Sequence, residues 1–372
     1  MGELNKDNLV DSMLLLESLN DGFYVVDTDR HILYWNAAAE RITGWKKEDI
    51  LGKTCADDVL SHVDKDGHQL CGEEHCPLHR AMVTDQGSEV PIIVFAKSKS
   101  GKRVPMRVSV APIRNAEGKV IGGVEDFRDV TSEYRDIDMA RRFQSAILHK
   151  KGIKDERISF TSYYLSCDIV SGDYYAFSRI DENKSAFILA DVAGHGLSAA
   201  LYTVYLNSFW GKNLNSLMNP TKVARAINTE LEALDMEDMK FATAILGLMD
   251  LENMKLSITF AGGPEPILFR GDGRVEILKG SGMPLGSFAE AKYDEITVDV
   301  KPGDSLLAFS DGVSEISGQK GNLLEVEGLV EILKEVGYPK SGDFDMIEEK
   351  LLKFSDRIQF KDDITFLEMR LL

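Results

Sequence analysis

The chain has no long apolar run. Its 372 residues contain no stretch near the roughly 20 consecutive apolar residues that a bilayer-spanning helix needs. Residues 1–6 also lack the apolar core of a secretory signal peptide. We therefore expect a cytoplasmic protein that has no membrane partner.

Positive charge is scarce relative to negative charge. The chain has 43 Lys and Arg residues against 61 Asp and Glu residues, which gives a formal net charge of −18. A surface this acidic repels nucleic acid and anionic lipid, so both are excluded as general partners. The charge instead favours a protein whose specific partners are other proteins or metal ions.

Cysteine is scarce too, with four residues in the chain. In a reducing cytoplasm these are expected to be free thiols rather than disulfides. Cys167 stands apart from the other three in sequence, and we expect it to be a buried apolar side chain. What the chain does have is a hydrophobic content of 44%, enough for the cores of two domains or three small ones.

Residues 12–130 have the pattern of a mixed α/β domain. A short helix is predicted over 12–19, a strand over 22–27 and a returning strand over 31–35. Asn36 is placed to cap the helix that follows. Three β-rich runs come later, at 90–97, 103–113 and 120–129. A first hairpin, then helices, then three strands predicts a five-stranded antiparallel sheet with helices beside it.

This segment resembles a PAS domain over its whole length, and the resemblance implies a sensory or dimerising module without identifying a ligand. The matching runs are Asp21-Gly22-Phe23, Ile32-Leu33-Tyr34-Trp35-Asn36, Thr43-Gly44-Trp45 and Gly122-Gly123-Val124-Glu125-Asp126-Phe127.

Three of the four cysteines lie inside this PAS-like segment. The ligand-type residues that interleave there are Cys55, His62, His68, Cys71, His75, Cys76 and His79. Cys71 and Cys76 are separated by four residues, a spacing that metal sites permit but that does not diagnose one. Two interpretations stay open: a metal, haem or redox site at Cys71 and Cys76, or an ordinary loop with partly buried cysteines.

Residues 131–152 predict a helical linker. Apolar residues recur at helical spacing at Ile137, Ala140 and Ile147, with Phe143 beside them, and no Gly or Pro interrupts the run before Gly152. The helix could pack on a neighbouring domain as an ordinary amphipathic helix. We favour a short coiled coil that pairs two chains in a homodimer, together with the PAS domain.

Residues 153–372 predict a second domain that alternates many strands with helices in pairs, which fits two antiparallel sheets flanked by helices. Strands are predicted at 158–165, 174–180, 185–192, 241–250, 255–261, 266–269, 295–300, 305–309 and 364–370, and helices at 198–210, 220–233, 324–336 and 343–354.

Four aspartates border these apolar runs. Asp173, Asp191 and Asp311 come at or after strand-like segments, and Asp362 comes just before one. Glycine or a second aspartate lies nearby each time, which permits tight turns and close backbone approach. Converging carboxylates repel one another unless a cation lies between them, and oxygen ligands favour Mg²⁺ or Mn²⁺. One Asp-Gly turn means little, but four predict a metal-dependent hydrolase acting on phosphate.

This second segment resembles the SpoIIE-type branch of the metal-dependent PPM (PP2C-like) protein phosphatases. The matching runs are Val170-Ser171-Gly172-Asp173, Ala190-Asp191-Val192-Ala193-Gly194-His195-Gly196, Phe241-Ala242-Thr243-Ala244, Pro284-Leu285-Gly286, Ser310-Asp311-Gly312-Val313-Ser314-Glu315 and Asp362-Asp363-Ile364-Thr365. The resemblance implies an α+β protein whose C-terminal domain is an αββα sandwich. With a PAS domain and a helix in front, it further implies a stress-response phosphatase acting on a STAS-type anti-sigma-factor antagonist.

The resemblance also implies roles for individual residues around two Mn²⁺ or Mg²⁺ ions. Asp191 would bridge the ions, and the Val192 carbonyl would bind one of them. The remaining positions would fall to Asp173, Asp311 and Asp362, with Asp363 as a further ligand or an outer neighbour.

His195 has two interpretations, a general acid for the serine leaving group or a structural side chain that holds the glycine turn. The chain departs from the family at Gly263, where a His is common, which could alter substrate docking. No arginine is an obvious partner for the phosphate, so the metal ions would have to hold it.

Three functional hypotheses follow. The favoured one is a phosphoserine/phosphothreonine protein phosphatase that its PAS domain regulates through the linker helix. A phosphatase-like scaffold that signals by partner binding is the alternative, and the complete set of aspartates weighs against it. Hydrolysis of small phosphate esters is a third, which the motifs alone do not separate from the first.

Overall fold

The structure is a computed structural model of the chain. It describes residues 12–55, 57, 59–65, 67–72, 76–87, 92–148, 155–194, 196–213, 218–233, 241–318, 321–340, 343–355 and 360–372. The chain divides into two compact units, Met1–Asp136 and Ile137–Leu372.

The first unit is built on one antiparallel sheet with the strand order β2-β1-β5-β4-β3, which confirms the five-stranded sheet predicted from the sequence. Its elements are α1 (Ser12–Glu17), β1 (Gly22–Asp27), β2 (Ile32–Trp35), α2 (Ala37–Thr43), α3 (Lys47–Ile50), α4 (Pro77–Thr84), β3 (Ile92–Lys97), β4 (Arg103–Arg114) and β5 (Val120–Asp129). Residues 90 and 91, which the sequence assigned to the third strand, lie outside the described residues.

Asn36 caps α2 as predicted, and it does more than cap. Its side-chain oxygen accepts hydrogen bonds from the amides of Ala39 at 2.8 Å and Phe23 at 3.0 Å. Its amide group donates to the carbonyls of Leu16 at 3.0 Å and Asp21 at 3.1 Å. A fully buried polar side chain is tolerated here because these four bonds satisfy it.

The second unit contains two five-stranded antiparallel sheets, with the orders β13-β10-β9-β8-β7 and β12-β11-β14-β15-β6. Its elements are β6 (Ile158–Leu165), β7 (Asp173–Arg179), β8 (Lys184–Val192), α6 (Leu197–Lys212), α7 (Pro220–Glu232), β9 (Ala242–Asp250), β10 (Lys255–Ala261), β11 (Ile267–Phe269), β12 (Val275–Ile277), β13 (Glu295–Asp299), β14 (Ser305–Phe309), α8 (Asp311–Ser314), α9 (Glu325–Glu335), α10 (Phe344–Ser355) and β15 (Ile364–Leu371). The sequence missed the three-residue strand β12 and the one-turn helix α8.

Buried side chains from both sheets form one hydrophobic cluster, which includes Ile188 of β8 and Leu306 of β14. The outer face of the second sheet buries Phe309 against Leu329 of α9 and Leu351 of α10. Helices α6 and α7 contact the sheet that contains β7, β8, β9 and β10. The αββα sandwich expected from the resemblance is therefore present.

The linker helix is α5, Thr131–Leu148, which begins in the first unit and ends in the second. Near its C-terminal end, Gln144 and Leu148 are buried, and Ile147 packs against the core of the second unit. Ile147 therefore serves intrachain packing, although the heptad pattern assigned it to a pairing seam. The large apolar side chains that α5 exposes are Met139 and Phe143.

None of the helices within the described ranges combines the length and the apolar character that crossing a bilayer requires.

Candidate metal centre

In the second unit, the sheet that contains β7 and β8 brings two carboxylates together, because its strand register pairs them. Strand β7 begins at Asp173 and pairs antiparallel with β8, so that Asp173 lies directly opposite Asp191. Like charges at paired positions destabilise a sheet unless something compensates for them. The register thus produces a crowded acidic pair where this hairpin opens.

The other sheet of the second unit, which contains β14 and β15, supplies two more carboxylates. Asp311 is the first residue of α8, immediately beyond β14, and Asp362 lies two residues before β15. Strands β14 and β15 are antiparallel neighbours, so the end of one and the start of the other lie at the same edge. Asp311 is close enough to Asp191 to raise the pKa of the Asp191 carboxyl group.

Electrostatics at this edge strongly disfavours several ionised carboxylates at once. Burial raises the pKa of Asp191 to about 10, and the charges of Asp173, Asp311 and Asp362 act in the same direction. Burial also raises the pKa of Asp173 far above its usual range, with Asp363 adding to the effect. Nearby positive charge, such as that of a divalent cation, would reverse this balance.

Asp173 is fully buried and only half satisfied. One carboxylate oxygen accepts a hydrogen bond from the Thr365 hydroxyl, whereas Oδ1 has no partner among the described residues. An unpaired oxygen at such depth costs about 1–3 kcal/mol or more, because it has lost its water. The orphaned oxygen, beside other oxygen donors, fits a metal ligand.

Two glycines permit the turns to approach one another. A Cβ atom on Gly172 would lie 2.8 Å from the Val192 carbonyl oxygen and 3.1 Å from Asp191 Oδ1. A Cβ atom on Gly312 would collide with the Asp363 carbonyl oxygen. Any larger residue would therefore push apart the turns that carry the carboxylates, and the Val192 carbonyl borders the same space.

Asp363 holds backbone in place. Its Oδ2 accepts a hydrogen bond from the Gly172 amide at 3.0 Å, and its Oδ1 accepts one from the Cys167 amide at 2.8 Å. Asp363 is buried, whereas its neighbour Asp362 is exposed. The adjacent aspartates thus differ in their surroundings, and Asp363 ties the Gly172 turn to the segment before β15.

Gln144 fixes the same turn from the linker helix, and the sequence analysis missed it. Its Oε1 accepts a hydrogen bond from the Ser171 amide at 3.0 Å. Its Nε2 donates to the Ser171 carbonyl at 2.7 Å and to Thr203 Oγ1 at 2.9 Å. The available signal was a glutamine on the apolar stripe itself, seven residues after Ile137 and three before Ile147.

Glu315 was also missed as a neighbour of the carboxylates, although it lies in a matching motif. Burial, followed by the charges of Asp311 and Asp362, raises the pKa of Glu315.

Gly263 accommodates close backbone packing, since a Cβ there would lie 3.1 Å from the Ala244 carbonyl carbon. A histidine would require this backbone to shift.

Two sequence predictions have other outcomes. His195 lies outside the described residues, so its two interpretations remain open. Cys167 was expected to be buried, and this is wrong, because its side chain is exposed in the loop after β6. The loop carries its backbone amide to Asp363, and that contact leaves the thiol facing outwards.

Oxygen is the common donor type at this edge. Asp173, Asp191, Asp311 and Asp362 offer carboxylate oxygens, and Val192 offers a carbonyl. Such a set suits the hard cations Mg²⁺ and Mn²⁺ and lacks the sulfur and nitrogen donors of most zinc sites. The donor type therefore agrees with the Mn²⁺ or Mg²⁺ that the resemblance implies, and the role of each residue stays a prediction.

Two curated relatives of this chain are phosphatases by name. A relative named phosphoserine phosphatase RsbP, from Bacillus subtilis, is 29% identical over 185 residues, which are 49% of this chain and 45% of that protein. Phosphoserine phosphatase RsbU from the same organism is 24% identical over 307 residues, 82% of this chain and 88% of the relative. The chain thus spans less than half of the length of RsbP.

A solved structure shares the fold. The PP2C domain of SiaA from Pseudomonas aeruginosa superposes with a TM-score of 0.55 at 19% identity, covering 64% of this chain and 97% of that one. The PAS fold model matches residues 16–135. The model for stage II sporulation protein E (SpoIIE) matches residues 181–372, more than half of the chain. With a PAS domain at its N-terminal end, this chain belongs to the SpoIIE family.

Proposed function

We propose that this protein is a metal-dependent phosphatase that removes phosphate from phosphoserine or phosphothreonine on a regulatory protein. The observation that carries the proposal is the convergence of Asp173, Asp191, Asp311 and Asp362 from two sheets, with one buried oxygen of Asp173 unpaired. The names of the two Bacillus subtilis relatives, both phosphoserine phosphatases, support it.

We assign the metal roles as the resemblance implies. Asp191 would hold both of two Mn²⁺ or Mg²⁺ ions, the Val192 carbonyl would hold one of them, and Asp173, Asp311 and Asp362 would complete the set. Such ions neutralise the phosphate and activate a water for in-line attack. Asp363 acts by holding the amides of Gly172 and Cys167, which makes it an outer neighbour of the centre in this proposal.

The chain's own contribution is rigid placement of negative charge. The largest charges acting on Asp191 are carboxylates, so the bare site repels a phosphate group. Affinity for substrate must then depend on bound cations, and the protein fixes where they bind through Gly172, Asp363 and Thr365. His195 is proposed as the acid that protonates the departing serine oxygen.

We further propose the organisation inferred from the sequence: a PAS sensor domain over 12–130, a helical linker over 131–152 and a phosphatase domain over 153–372. The substrate is a phosphorylated STAS-type anti-sigma-factor antagonist. The protein acts in the cytoplasm, where its four free thiols stay reduced.

The PAS domain regulates the phosphatase through α5. At the start of the helix, the Tyr134 ring packs edge-on against Phe95 of β3 at a centroid distance of 5.0 Å. At its other end, the Gln144 side chain donates a hydrogen bond to the Ser171 carbonyl and accepts one from the Ser171 amide. Ser171 lies two residues before Asp173. A shift or rotation of the helix would therefore move the turn that carries Asp173. Two copies pair as a homodimer through the PAS domain and this helix, along the half-buried Ile137 and Ala140 of the predicted seam with the exposed Phe143 beside them.

The activity is tested with the full chain and two substrates. Phosphate release is measured from a serine-phosphorylated STAS-domain protein and from p-nitrophenyl phosphate, each with Mn²⁺ and with excess chelator. We expect Mn²⁺-dependent turnover, with kcat/KM for the phosphoprotein exceeding that for the aryl ester by more than tenfold.

Absence of turnover on both substrates, from a folded protein that has bound Mn²⁺, would support the scaffold hypothesis instead. Equal efficiency on the two substrates would support a small-ester hydrolase and remove the protein substrate from the proposal.

A further inference from the structure

The first unit contains three thiols that the proposed phosphatase chemistry does not use. Cys55 lies after α3, and Cys71 and Cys76 lie in the segment that leads into α4. Cys55 and Cys76 belong to the hydrophobic core cluster of this unit, whereas Cys71 is half-buried and packs against that cluster. A small reactant from solvent can therefore reach Cys71 more easily than the two core thiols.

Neither a metal nor a haem gains support at Cys71 and Cys76. Among the described residues of the first unit, the group that brings three ligand atoms within 4.8 Å of one another is Asp27, Asp29 and His31. Asp27 accepts hydrogen bonds from the amides of Asp29 and His31, so turn geometry accounts for that group. The thiols do not converge on one ion in this way, and their proximity needs another explanation.

Cys55 and Cys71 are close enough to react with each other. Their Sγ atoms are 3.8 Å apart, although sixteen positions separate the two residues in the chain. A disulfide requires the sulfurs to approach to about 2.05 Å, which side-chain rotation and a small movement of either loop can supply. Disulfides in cytoplasmic proteins are usually transient, and they are typical of redox-sensing sites.

Cys71 is the more reactive member of this pair. The His62 backbone amide donates a hydrogen bond to Cys71 Sγ at 3.0 Å, a contact that stabilises a thiolate. The contact with Cys55 has the largest effect and lowers the pKa of Cys71, whereas the same contact raises the pKa of Cys55 to about 12. A half-buried thiolate beside a second thiol is the arrangement found at redox-sensor cysteines.

The pair is connected to the linker helix by direct contacts. His62 contacts Cys71 through its amide and is followed in the chain by Val63. Val63 and Phe95 of β3 exchange two backbone hydrogen bonds, at 3.1 and 2.8 Å. The Phe95 ring packs against Tyr134 near the start of α5. A displacement of Cys71 can therefore reach α5 through residues that touch one another.

We propose that Cys71 and Cys55 form a redox-active pair, which a hydroperoxide converts into a reversible disulfide and which transmits this oxidation to the start of α5. The Cys71 thiolate attacks hydrogen peroxide and breaks its O–O bond, so that Cys71 becomes a sulfenic acid and the released hydroxide takes up a proton. The Cys55 thiol then displaces hydroxide from the Cys71 sulfur, and its proton completes a second water. The two thiols lose two electrons and two protons, and the peroxide becomes two waters. A dithiol reductant reverses the reaction by thiol–disulfide exchange.

The test uses the full-length protein, which is first reduced and then freed of reductant. Hydrogen peroxide is added in modest excess, free thiols are blocked under denaturing conditions, and disulfides are mapped by mass spectrometry. Most chains should contain a Cys55–Cys71 disulfide that dithiothreitol removes, and Cys76 should stay free. Cys71 should be oxidised about tenfold faster than the exposed Cys167, which would react first if solvent access alone decided the rate.

Two variants separate the roles of the paired thiols. In Cys55→Ser, Cys71 should still consume peroxide but should stop at a sulfenic acid, which dimedone traps. In Cys71→Ser, Cys55 should stay unmodified over the same time. Cys167→Ser is the matched control and should form the disulfide as the wild type does. Circular dichroism checks the folding of each variant, and disulfide mapping of the wild type tests the pair without any substitution.

Hydrogen–deuterium exchange of the wild-type protein tests transmission to the helix. Oxidation should change the exchange rates of the Val63 and Phe95 amides and of residues 131–136 by about twofold or more, and reduction should restore them. Exchange in β10 of the second unit should not change.

Three results would overturn the proposal. One is wild-type protein whose thiols all stay free in peroxide, or whose Cys71 passes to a sulfinic acid with no disulfide. Another is a disulfide that joins Cys55 to Cys76 instead. The third is a Cys55–Cys71 disulfide that leaves exchange at Val63, Phe95 and residues 131–136 unchanged, because the oxidation would then have no effect on the helix.

Discussion

The two units both bring reactive side chains together, but they do so in opposite ways. In the second unit, carboxylates come from strand ends at the edge of two sheets, and glycines hold the turns close together. In the first unit, Cys55 and Cys76 come from loops and lie within the hydrophobic core, and the half-buried Cys71 packs against it. The carboxylates thus lie where strands end, whereas two of the thiols are enclosed.

The difference follows from donor chemistry. Carboxylates are costly to bury, so a cluster of them must stay near solvent or near cations. Neutral thiols are among the side chains that cores accept readily, so thiols can lie inside one without a counter-charge. Hard divalent ions suit the carboxylate arrangement, because they supply the positive charge that it lacks.

The largest effect should come from Asp191→Asn, which weakens the bridging position without changing side-chain size. We expect phosphatase turnover to fall by about 10²-fold or more. Phosphate release, measured on protein whose folding is checked by circular dichroism, would show the loss.

Asp181→Asn is the matched control. Asp181 lies at the closed end of the same β7–β8 hairpin, where it accepts hydrogen bonds from turn amides. Wild-type turnover in folded Asp191→Asn would contradict the proposed metal role.

Gly172→Ala should have the next largest effect. Its methyl group would lie 2.8 Å from the Val192 carbonyl oxygen and 3.1 Å from Asp191 Oδ1. We expect Mn²⁺ affinity, measured by activation of turnover, to fall by about 10–100-fold. Gly211→Ala on α6 is the control, since its methyl group meets no atom within 4 Å. Equal Mn²⁺ activation in both variants would mean that the turns carrying Gly172 and Val192 can move apart without loss of Mn²⁺ affinity.

Gln144→Met should lower Mn²⁺ affinity by about tenfold. The side chain keeps its length but no longer bonds Ser171 and Thr203, and each buried group left unpaired costs about 1–3 kcal/mol. Arg142→Met changes an exposed position of the same helix and should have little effect. If Gln144→Met loses thermal stability but keeps wild-type Mn²⁺ activation, the residue has only a structural role. Helix α5 then does not influence Mn²⁺ binding through Gln144.

Thr365→Val should produce the smallest of these effects, a decrease of about 3–10-fold in Mn²⁺ affinity. The variant removes the hydroxyl that donates to Asp173 and leaves the side-chain shape nearly unchanged. Thr161→Val, at an exposed position of β6 in the same sheet, is the control. An increase in Mn²⁺ affinity would show that the hydroxyl competes with the ion for this oxygen.

Much of the fold was predictable because local patterns encode it. Most strand limits lie within two residues of their predictions, because alternating apolar runs end at glycine or aspartate turns. Asn36 was recognisable as a helix cap from its position before an alanine run. The short elements β12 and α8 escaped prediction, since three or four residues carry too little periodicity to detect.

The sequence alone determined which chemical groups were available: glycine-flanked aspartates in one half, and cysteines with histidines in the other. The tertiary structure decided which of them meet. Register placed Asp173 opposite Asp191, helix α5 delivered Gln144 to Ser171, and β5 delivered Glu125 beside three distant cysteines. These contacts join residues far apart in the chain, and only the packing of sheets and helices fixes such distances.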